Sequence, residues 1–246
     1  MRIIRLIWAW FWAVLATTIL FLPMTIAALL SNTGNLAFNI SKLWANIMVR
    51  VTAVQCNIRG REKIKPGRSY IIITNHQSLF DILALVTKLG IQFRWVIKKE
   101  VLKIPLFGYA LWAAKNIFID RSDRRQAIGS MKHGLERLPG GASVMVFAEG
   151  TRSPDGEIHP FKKGGFVMAV DNRLPILPVT INGSRKVLPK GDTSSTPGPI
   201  EVVVADPIDT ANYTHDNLEE LIRQTRDTVI ANFNLHYPER RHDEKG

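Results

Sequence analysis

His76 and Asp81 follow a short apolar run at residues 70–74. These two residues can act together as a general base and the carboxylate that orients it. A separation of five positions does not place them on one face of a straight helix, because successive helical residues turn by about 100°. They can meet if His76 lies in a strand-to-helix turn and Asp81 lies in the first helical turn. A carboxylate bonded to one ring nitrogen leaves the other nitrogen to act as a general base.

Two other interpretations of this pair are open. His76 can be an ordinary turn residue, with Asp81 placed to complement the positive end of a helix dipole. Ser78 can be a nucleophile activated by His76, although the G-x-S-x-G turn typical of such serines is absent here. The spacing alone favours the ordinary turn.

A second polar group is the sequence FAEGTR at residues 147–152, which follows another predicted strand. Gly150 permits close approach of the backbone, Thr151 adds a hydroxyl group, and Arg152 offers a bidentate donor for phosphate. The sequence FKKGGF at residues 161–166 then places two ammonium groups beside flexible glycines. The simpler interpretation of each segment is a polar turn with solvated cations.

Charged residues also end two further predicted strands. The sequence KKE at residues 98–100 follows one strand, and Asp120 and Arg121 end the other. Surface ion pairs would explain each group by itself. Because α/β sheets collect their functional sites at the carboxyl ends of their strands, the coincidence of these groups favours one shared site.

The elements that must position these residues are short apolar runs alternating with helical patterns, which predicts a layered α/β domain. The predicted strands lie at residues 70–74, 93–97, 117–120, 144–147, 176–181 and 200–204. Helices are predicted at residues 82–89 and 166–170, after an N-cap at Ser122, and along an amphipathic face at residues 218–233.

The start of the chain is strongly apolar. Residues 6–30 exceed the roughly 20 apolar residues that cross a bilayer as a helix. Three tryptophans, Trp8, Trp10 and Trp12, lie near Arg2 and Arg5 at one end, a pattern typical of a lipid–water interface. A cleaved signal peptide and a buried core helix are the alternatives.

A turn at residues 32–35 and a second apolar segment at residues 36–54 come next in the chain. We therefore expect a two-helix membrane anchor over residues 1–58 and a catalytic domain over residues 59–246. The cationic residues near the helix ends would then lie on the cytoplasmic face.

The composition limits the partners. The 246 residues include 32 Lys+Arg and 21 Asp+Glu, a net charge of +11, which favours nucleic acid, an anionic membrane or a phosphorylated substrate. A hydrophobic share of 46% excludes a disordered chain. The single cysteine, Cys56, excludes an intrachain disulfide and a zinc site built from cysteines, and it favours a reducing compartment.

Taken in order, these groups resemble the motifs of the glycerophospholipid acyltransferase family. The blocks are Asn75-His76-x4-Asp81, KKEVLKIPLFG at residues 98–108, FIDR at residues 118–121, FAEGTR at residues 147–152 and Leu177-Pro178-Val179. Within the family the pattern is closest to bacterial members that acylate lysophosphatidic acid. The resemblance implies a layered α/β acyltransferase domain with a central mixed sheet, preceded by an N-terminal two-helix membrane element.

The resemblance also implies the chemistry: transfer of a fatty acyl chain from acyl-CoA or acyl-carrier protein to the sn-2 hydroxyl of lysophosphatidic acid. His76 would be the general base and Asp81 its orienting partner. The implied substrate-binding residues are Lys98, Arg121, Glu149, Gly150, Thr151 and Arg152. Neither a metal nor a cofactor besides the acyl donor is implied, and no nucleic acid. The expected location is the inner membrane, with the catalytic domain facing the cytoplasm.

Two positions depart from the family pattern. Lys115 stands three residues before Phe118, where glycine is usual, and Ala148 stands where proline is usual. We expect Lys115 to add a charge near the acceptor site and Ala148 to loosen its loop. The acceptor could then be another lysolipid, such as a lyso-ornithine lipid. The alternative of a different class is a membrane-tethered module that binds nucleic acid or anionic lipid without using His76.

Overall fold

A computed structural model of the chain describes residues 2–120, 129–130, 133–136 and 142–238. These residues contain a seven-stranded sheet. Its strands are β1 (Gln55–Arg59), β2 (Ile71–Thr74), β3 (Phe93–Lys98), β4 (Ile117–Ile119), β5 (Ser143–Phe147), β6 (Ile176–Asn182) and β7 (Pro199–Val204).

The helices precede, connect and cover the strands. They are α1 (Arg2–Leu30), α2 (Asn35–Val51), α3 (Phe80–Lys88), α4 (Phe107–Ala113), α5 (Gly164–Asp171), α6 (Ser184–Val187) and α7 (Leu218–Ala231), with short 3-10 turns at Arg61–Lys63 and Lys99–Lys103. Residues 129–130 and 133–136 are also helical.

The sheet is mixed, with the strand order β1-β7-β6-β2-β5-β3-β4. Strands β6, β2, β5, β3 and β4 are parallel, whereas β7 is antiparallel to β6 and carries β1 parallel to itself. The carboxyl ends of the five parallel strands therefore meet at one edge, which we call the carboxyl edge, and the opposite edge is the amino edge. The predicted α/β class and its mixed sheet are confirmed.

Both faces of the sheet are covered, so its central strands are apolar at successive positions. Ile72 packs with residues of α2 and α3 in one core, while its neighbours Ile71 and Ile73 pack with residues of α5 and α7 in the other. Alternate side chains of a strand point to opposite faces, which explains why one run of isoleucines serves two cores.

The two N-terminal helices differ in character. Of the described residues, only α1 forms a helix long and apolar enough to cross a membrane, and 17% of its most apolar window is buried. Helix α2 is shorter, and it buries Ala37, Phe38, Ala45 and Met48. The expectation of two membrane helices is thus corrected to one, because α2 uses its apolar face to pack against the domain.

The elements that were not predicted are β1, α4, the short helix α6 and the two 3-10 turns. Strand β1 pairs with β7, so the boundary expected at residue 58 falls inside a strand of the sheet; the division into an anchor and a domain stays a prediction. Helix α4 begins at Phe107, near the end of the KKEVLKIPLFG segment, and extends beyond it to Ala113. Most of the helix predicted after Ser122 lies outside the described residues.

Candidate active site

The site begins at the carboxyl edge, where β2 lies between β5 and β6. The turn after β2 carries His76, the first turn of α3 carries Asp81, and the loop after β5 carries Glu149. The last residues of the two strands, Thr74 of β2 and Phe147 of β5, pair with each other in the sheet. Parallel pairing therefore brings residues far apart in the sequence to one place.

The His76 and Asp81 side chains meet. Nδ1 of His76 lies 2.8 Å from Oδ2 of Asp81. Asp81 is completely buried, and the same oxygen accepts the backbone N–H groups of Gln77 and Ser78 at 2.7 and 2.8 Å. The carboxylate is thus held at the start of α3, where the helix dipole favours negative charge. The bond fixes Nδ1 as the donor and leaves Nε2 of His76 with its lone pair.

An aromatic ring fixes the plane of the imidazole. The ring of His76 stacks on Phe147, with ring centroids 3.7 Å apart and planes 13° apart. Phe147 in turn stacks on Trp95 at 5.4 Å. The His76 side chain keeps only 13% of its surface exposed, so it is held in one orientation and presents one edge outward.

Glu149 fixes the backbone of His76. Its Oε1 accepts the His76 N–H at 2.9 Å, and its Oε2 accepts the His159 N–H at 3.1 Å. The carbonyl of His76 accepts the Ser153 N–H at 2.8 Å. Burial raises the pKa of the Glu149 carboxyl, and the two amide hydrogen bonds partly oppose that rise. Each oxygen of Glu149 thus accepts one backbone N–H bond, so the carboxylate positions the His76 backbone, and its expected contact with substrate stays a prediction.

The backbone conformation explains why the FAEGTR segment has glycine at position 150. Gly150 has a φ of 75°, a backbone conformation that favours glycine. A Cβ there would lie 2.8 Å from Nζ of Lys162, so the FAEGTR and FKKGGF segments approach each other closely at this point. Thr151 is exposed and Arg152 partly buried beside it. This part of the carboxyl edge is cationic.

The remaining predicted residues lie farther along the edge. Lys98 ends β3, two strands from β2, and its Nζ lies 3.5 Å from Oε1 of Glu100. Lys99 forms an ion pair with Asp120, which raises the pKa of the lysine. Arg121 lies outside the described residues. The structure thus brings His76, Asp81 and Glu149 into direct contact and leaves Lys98 with a surface ion pair.

Both departures from the family pattern have local explanations. Lys115 has a φ of 57°, which explains why glycine is usual there, and its Nζ lies 5.1 Å from the ring centre of Trp112. It precedes β4 and so lies on the amino side of that strand, away from the carboxyl edge. The expected effect of its charge on the acceptor site is therefore not supported.

The backbone N–H of Ala148 donates to the carbonyl of Thr74 at 3.1 Å. Proline has no N–H and could not make this bond. Alanine thus extends the pairing of β2 and β5 by one bond, and a looser loop beyond this position stays a prediction.

Three functional contacts were missed in the sequence. The stack of Phe147 on His76 and the bond from the His159 backbone to Glu149 are decided by side-chain directions that spacing does not reveal. The side-chain amide of Asn75 bonds both backbone groups of Ile181, at 3.0 and 2.8 Å, and so ties the histidine turn to β6. The position of Asn75 directly before His76 was the only feature of the sequence that could have indicated this contact. Among the described residues, no three His, Cys, Asp or Glu side chains are grouped to hold a metal ion.

A protein-family model described as Acyltransferase matches residues 55–182, which include β2, β5 and the whole His76 turn. The chain belongs to the acyltransferase family. The resemblance predicted from the motif order is confirmed.

Relatives of this acyltransferase carry more specific names. The chain is 34% identical over 171 residues to 1-acyl-sn-glycerol-3-phosphate acyltransferase BAT2, chloroplastic, of Brassica napus, a match to 69% of this chain and 49% of that protein. It is 32% identical over 181 residues to the human 1-acyl-sn-glycerol-3-phosphate acyltransferase alpha, covering 73% and 64% of the two chains. The match thus spans about half the length of the plant relative.

A solved structure is similar over nearly the whole chain. It is the 1-acyl-sn-glycerophosphate (LPA) acyltransferase PlsC from Thermotoga maritima, with a TM-score of 0.78 and 26% sequence identity. The likeness covers 93% of this chain and 95% of that one. The N-terminal helices and the sheet are therefore shared parts of one architecture.

Proposed function

We propose that this acyltransferase transfers a fatty acyl chain from a thioester donor, acyl-CoA or acyl-carrier protein, to the sn-2 hydroxyl of lysophosphatidic acid. The product is phosphatidic acid. The observation that carries the proposal is the buried Asp81 carboxylate on Nδ1 of His76, with the other edge of the ring facing outward. The names of the relatives supply the acceptor.

In the proposed reaction, Nε2 of His76 takes the proton of the acceptor hydroxyl. The hydroxyl oxygen forms a bond with the thioester carbonyl carbon, and the carbon–sulfur bond then breaks. The imidazolium returns its proton to the departing sulfur. Asp81 stabilises the imidazolium while it exists, because the carboxylate is buried and its interaction with the ring is little screened by water.

The acceptor phosphate binds to the cations of the carboxyl edge. Arg152 follows Gly150 and Thr151 in the loop nearest His76, and Lys162 approaches the same loop. Lys98 belongs to the same edge, and the motif order adds Arg121. Guanidinium groups suit this task because they bind two phosphate oxygens at once. Glu149 holds the histidine in position and does not bind the phosphate.

The enzyme works at a membrane surface, with α1 in the lipid. Exposed apolar side chains along α1, such as Ile4, Trp10, Leu22 and Leu29, support this placement because water would not favour so many of them on one helix. The acceptor is itself a lipid, so an active site beside the bilayer gives it a direct route. The catalytic domain lies on the cytoplasmic side of the inner membrane.

The test is thioester consumption by the full chain in detergent micelles, with palmitoyl-CoA and lysophosphatidic acid. His76→Ala should lower kcat by about 10²–10⁴. His215→Ala is the matched control, because His215 forms an exposed pair with Asp171, also at 2.8 Å. Its activity should equal that of the wild type.

Equal activity in wild type and His76→Ala would overturn the mechanism. If the wild type consumed thioester only with another lysolipid in a panel of acceptors, the chemistry would stand and the acceptor would be wrong. A lyso-ornithine lipid belongs in that panel.

A further inference from the structure

A second concave site opens at the carboxyl edge, beside the turn that holds His76. It has a volume of about 400 Å³, within the range of small-molecule sites. We call it the β6 cavity, because it lies where β6 ends. Its lining residues come from the histidine turn, from the segment after β6 and from the segment after α7. They include Gln77, Arg185, Lys186, Asp192, Phe233 and Asn234.

Gln77 lines this cavity, and its side-chain oxygen is buried and unpaired among the described residues. The residue is 2% exposed, and its Nε2 donates to the Gly156 carbonyl at 3.2 Å. Its Oε1 has no hydrogen-bond partner in the described part of the chain. Buried amide oxygens are normally paired, so this atom indicates a ligand that brings an N–H or O–H donor.

The cationic side chains around the cavity are bound by backbone carbonyl groups, which do not neutralise their charge. Arg185 donates to the Pro154 carbonyl at 2.8 Å and Lys186 to the His236 carbonyl at 2.6 Å. Lys190, close by, donates to the Arg152 carbonyl at 2.8 Å. Backbone carbonyls orient a cation but leave its charge in place. Within the described ranges, none of the three has a carboxylate within 4.0 Å.

The carboxylate that lines the cavity is already paired. Asp192 bonds to Arg2 at the start of α1 and accepts the backbone N–H groups of Thr193 and Ser194. The larger cavity at the ends of β1 and β7 is different: there Lys63 pairs with Asp206 at 2.9 Å. The β6 cavity therefore attracts anions, whereas the larger cavity balances its charges internally.

We propose that the β6 cavity binds the phosphopantetheine arm of the acyl donor, an inference that rests on the proposed function. That arm carries a phosphate for Arg185 and Lys186, and its amide N–H groups suit Oε1 of Gln77. It also ends in the sulfur that bears the acyl chain. Gln77 adjoins His76, so an arm bound here leads the thioester toward the general base. The acceptor phosphate uses the other cations of the edge.

The decisive comparison is Lys186→Ala against Lys63→Ala. Both variants remove one lysine. Lys186 is exposed, and Lys63 is partly exposed and pairs with an exposed Asp206, so neither change should prevent folding. With palmitoyl-CoA, Lys186→Ala should raise the donor KM about fivefold to tenfold and leave the KM for lysophosphatidic acid unchanged, because it loses one charge-assisted contact to phosphate. Lys63→Ala should change neither.

Three donors identify the source of the phosphate. Palmitoyl-pantetheine, which has no phosphate, should show no difference between Lys186→Ala and wild type. A change shared by palmitoyl-CoA and palmitoyl-carrier protein assigns the contact to the common phosphate of the arm. A change with palmitoyl-CoA alone assigns it to the nucleotide phosphates. Gln77→Leu should raise the KM for all three donors, because the amide groups of the arm are common to them.

Equilibrium binding of coenzyme A tests the site without turnover. Its Kd should rise about fivefold to tenfold in Lys186→Ala, through the same phosphate contact. The wild type could bind coenzyme A in this way and yet consume no thioester with lysophosphatidic acid. The proposed function would then be wrong, and the assignment of the β6 cavity as a binding site would stand. A donor KM and a Kd that do not respond to Lys186→Ala, or a rise only in the acceptor KM, would overturn the inference.

Discussion

At the carboxyl edge of the sheet, the buried carboxylates of Asp81 and Glu149 accept hydrogen bonds from backbone N–H groups. At the amino edge, the buried guanidinium of Arg94 donates instead, to the Thr33 carbonyl at 2.8 Å and to the side-chain oxygen of Asn35 at 2.6 Å. Burial lowers the pKa of Arg94 to about 10, so it stays charged at neutral pH. Each edge therefore surrounds a buried charge with polar groups of the protein.

The two clusters differ in what lies at their outer end. The carboxyl-edge cluster leads to the partly exposed imidazole of His76, so its hydrogen bonds fix the side chain that we propose as the base. The amino-edge cluster closes on the turn between α1 and α2, and Arg94 itself is fully buried. One arrangement thus orients the proposed base, and the other attaches the N-terminal helices. Variants at the two edges should separate activity from stability.

The largest effect on activity is expected for Asp81→Asn. The asparagine carbonyl can still accept the backbone N–H groups of Gln77 and Ser78, so the turn keeps its shape. The asparagine keeps a bond to Nδ1–H of His76 through the same oxygen but has no charge to stabilise an imidazolium, so kcat should fall by about 10²–10⁴. Steady-state thioester consumption measures the loss, and urea unfolding should show a nearly unchanged midpoint. Activity within tenfold of wild type would remove Asp81 from the mechanism.

The next effect, on stability, is expected for Arg94→Met. The variant removes the charged donor of the Thr33 carbonyl and of the Asn35 amide oxygen, and a hydrogen bond to a charged group contributes about 1.5–3 kcal/mol. The free energy of unfolding in urea should fall by about 3 kcal/mol in total, while kcat per folded molecule changes less than twofold. Arg68→Met is the control: Arg68 is exposed, and its loss should cost no more than about 0.5 kcal/mol. A large fall in kcat for Arg94→Met would show that the edges are coupled.

A smaller effect on activity is expected for Glu149→Gln. One amide N–H then faces an NH₂ group, so the backbone of His76 is held less well. The loss of a charged hydrogen bond predicts a fall in kcat of about 10- to 100-fold, with an unchanged KM for lysophosphatidic acid. A rise in that KM with a normal kcat would instead make Glu149 a substrate contact.

The smallest expected effect is a change in the free energy of unfolding with pH, which is linked to Glu149. The pKa of Glu149 is raised in the folded protein, so the folded chain keeps this proton at pH values where the unfolded chain has released it. Stability contributed at this site is therefore lost as the pH rises from the ordinary glutamate pKa through the raised one. Urea unfolding of wild type and Glu149→Gln across that window should show this slope in the wild type alone. Parallel curves would contradict the raised pKa.

Elements buried on both faces could be predicted from the sequence. Ile71 to Thr74 are all buried, so β2 is an uninterrupted apolar run that stands out from its surroundings. The amphipathic face of α7 was equally clear, because Leu218, Leu221, Ile222 and Val229 are buried at helical spacing. Strand β1 was missed because it lies at the sheet edge and its side chains are mostly polar. Only its pairing with β7 makes it a strand.

The site could be predicted in part. The order of the motifs was enough to find the family and to select His76 and Asp81, because these residue types at this spacing recur as a unit. The contacts of their neighbours were less accessible: Glu149 was expected to bind the acceptor, which stays a prediction, and nothing in the spacing indicated that its oxygens also hold two backbone amides. Lys115 was expected near the acceptor, yet it lies on the amino side of β4.

By itself, the sequence determined the α/β class, the apolar first helix, the family and the residues able to act as base and orienting acid, because these depend on residue type, local periodicity and motif order. Tertiary structure alone decided that α2 packs on the domain, that Phe147 holds the His76 ring, that Glu149 positions the backbone, and that Gln77 and Lys186 line one cavity. Those facts depend on side-chain directions and on contacts between distant segments. A hydrogen bond requires two atoms to meet at about 3 Å, and spacing along a chain does not specify that distance.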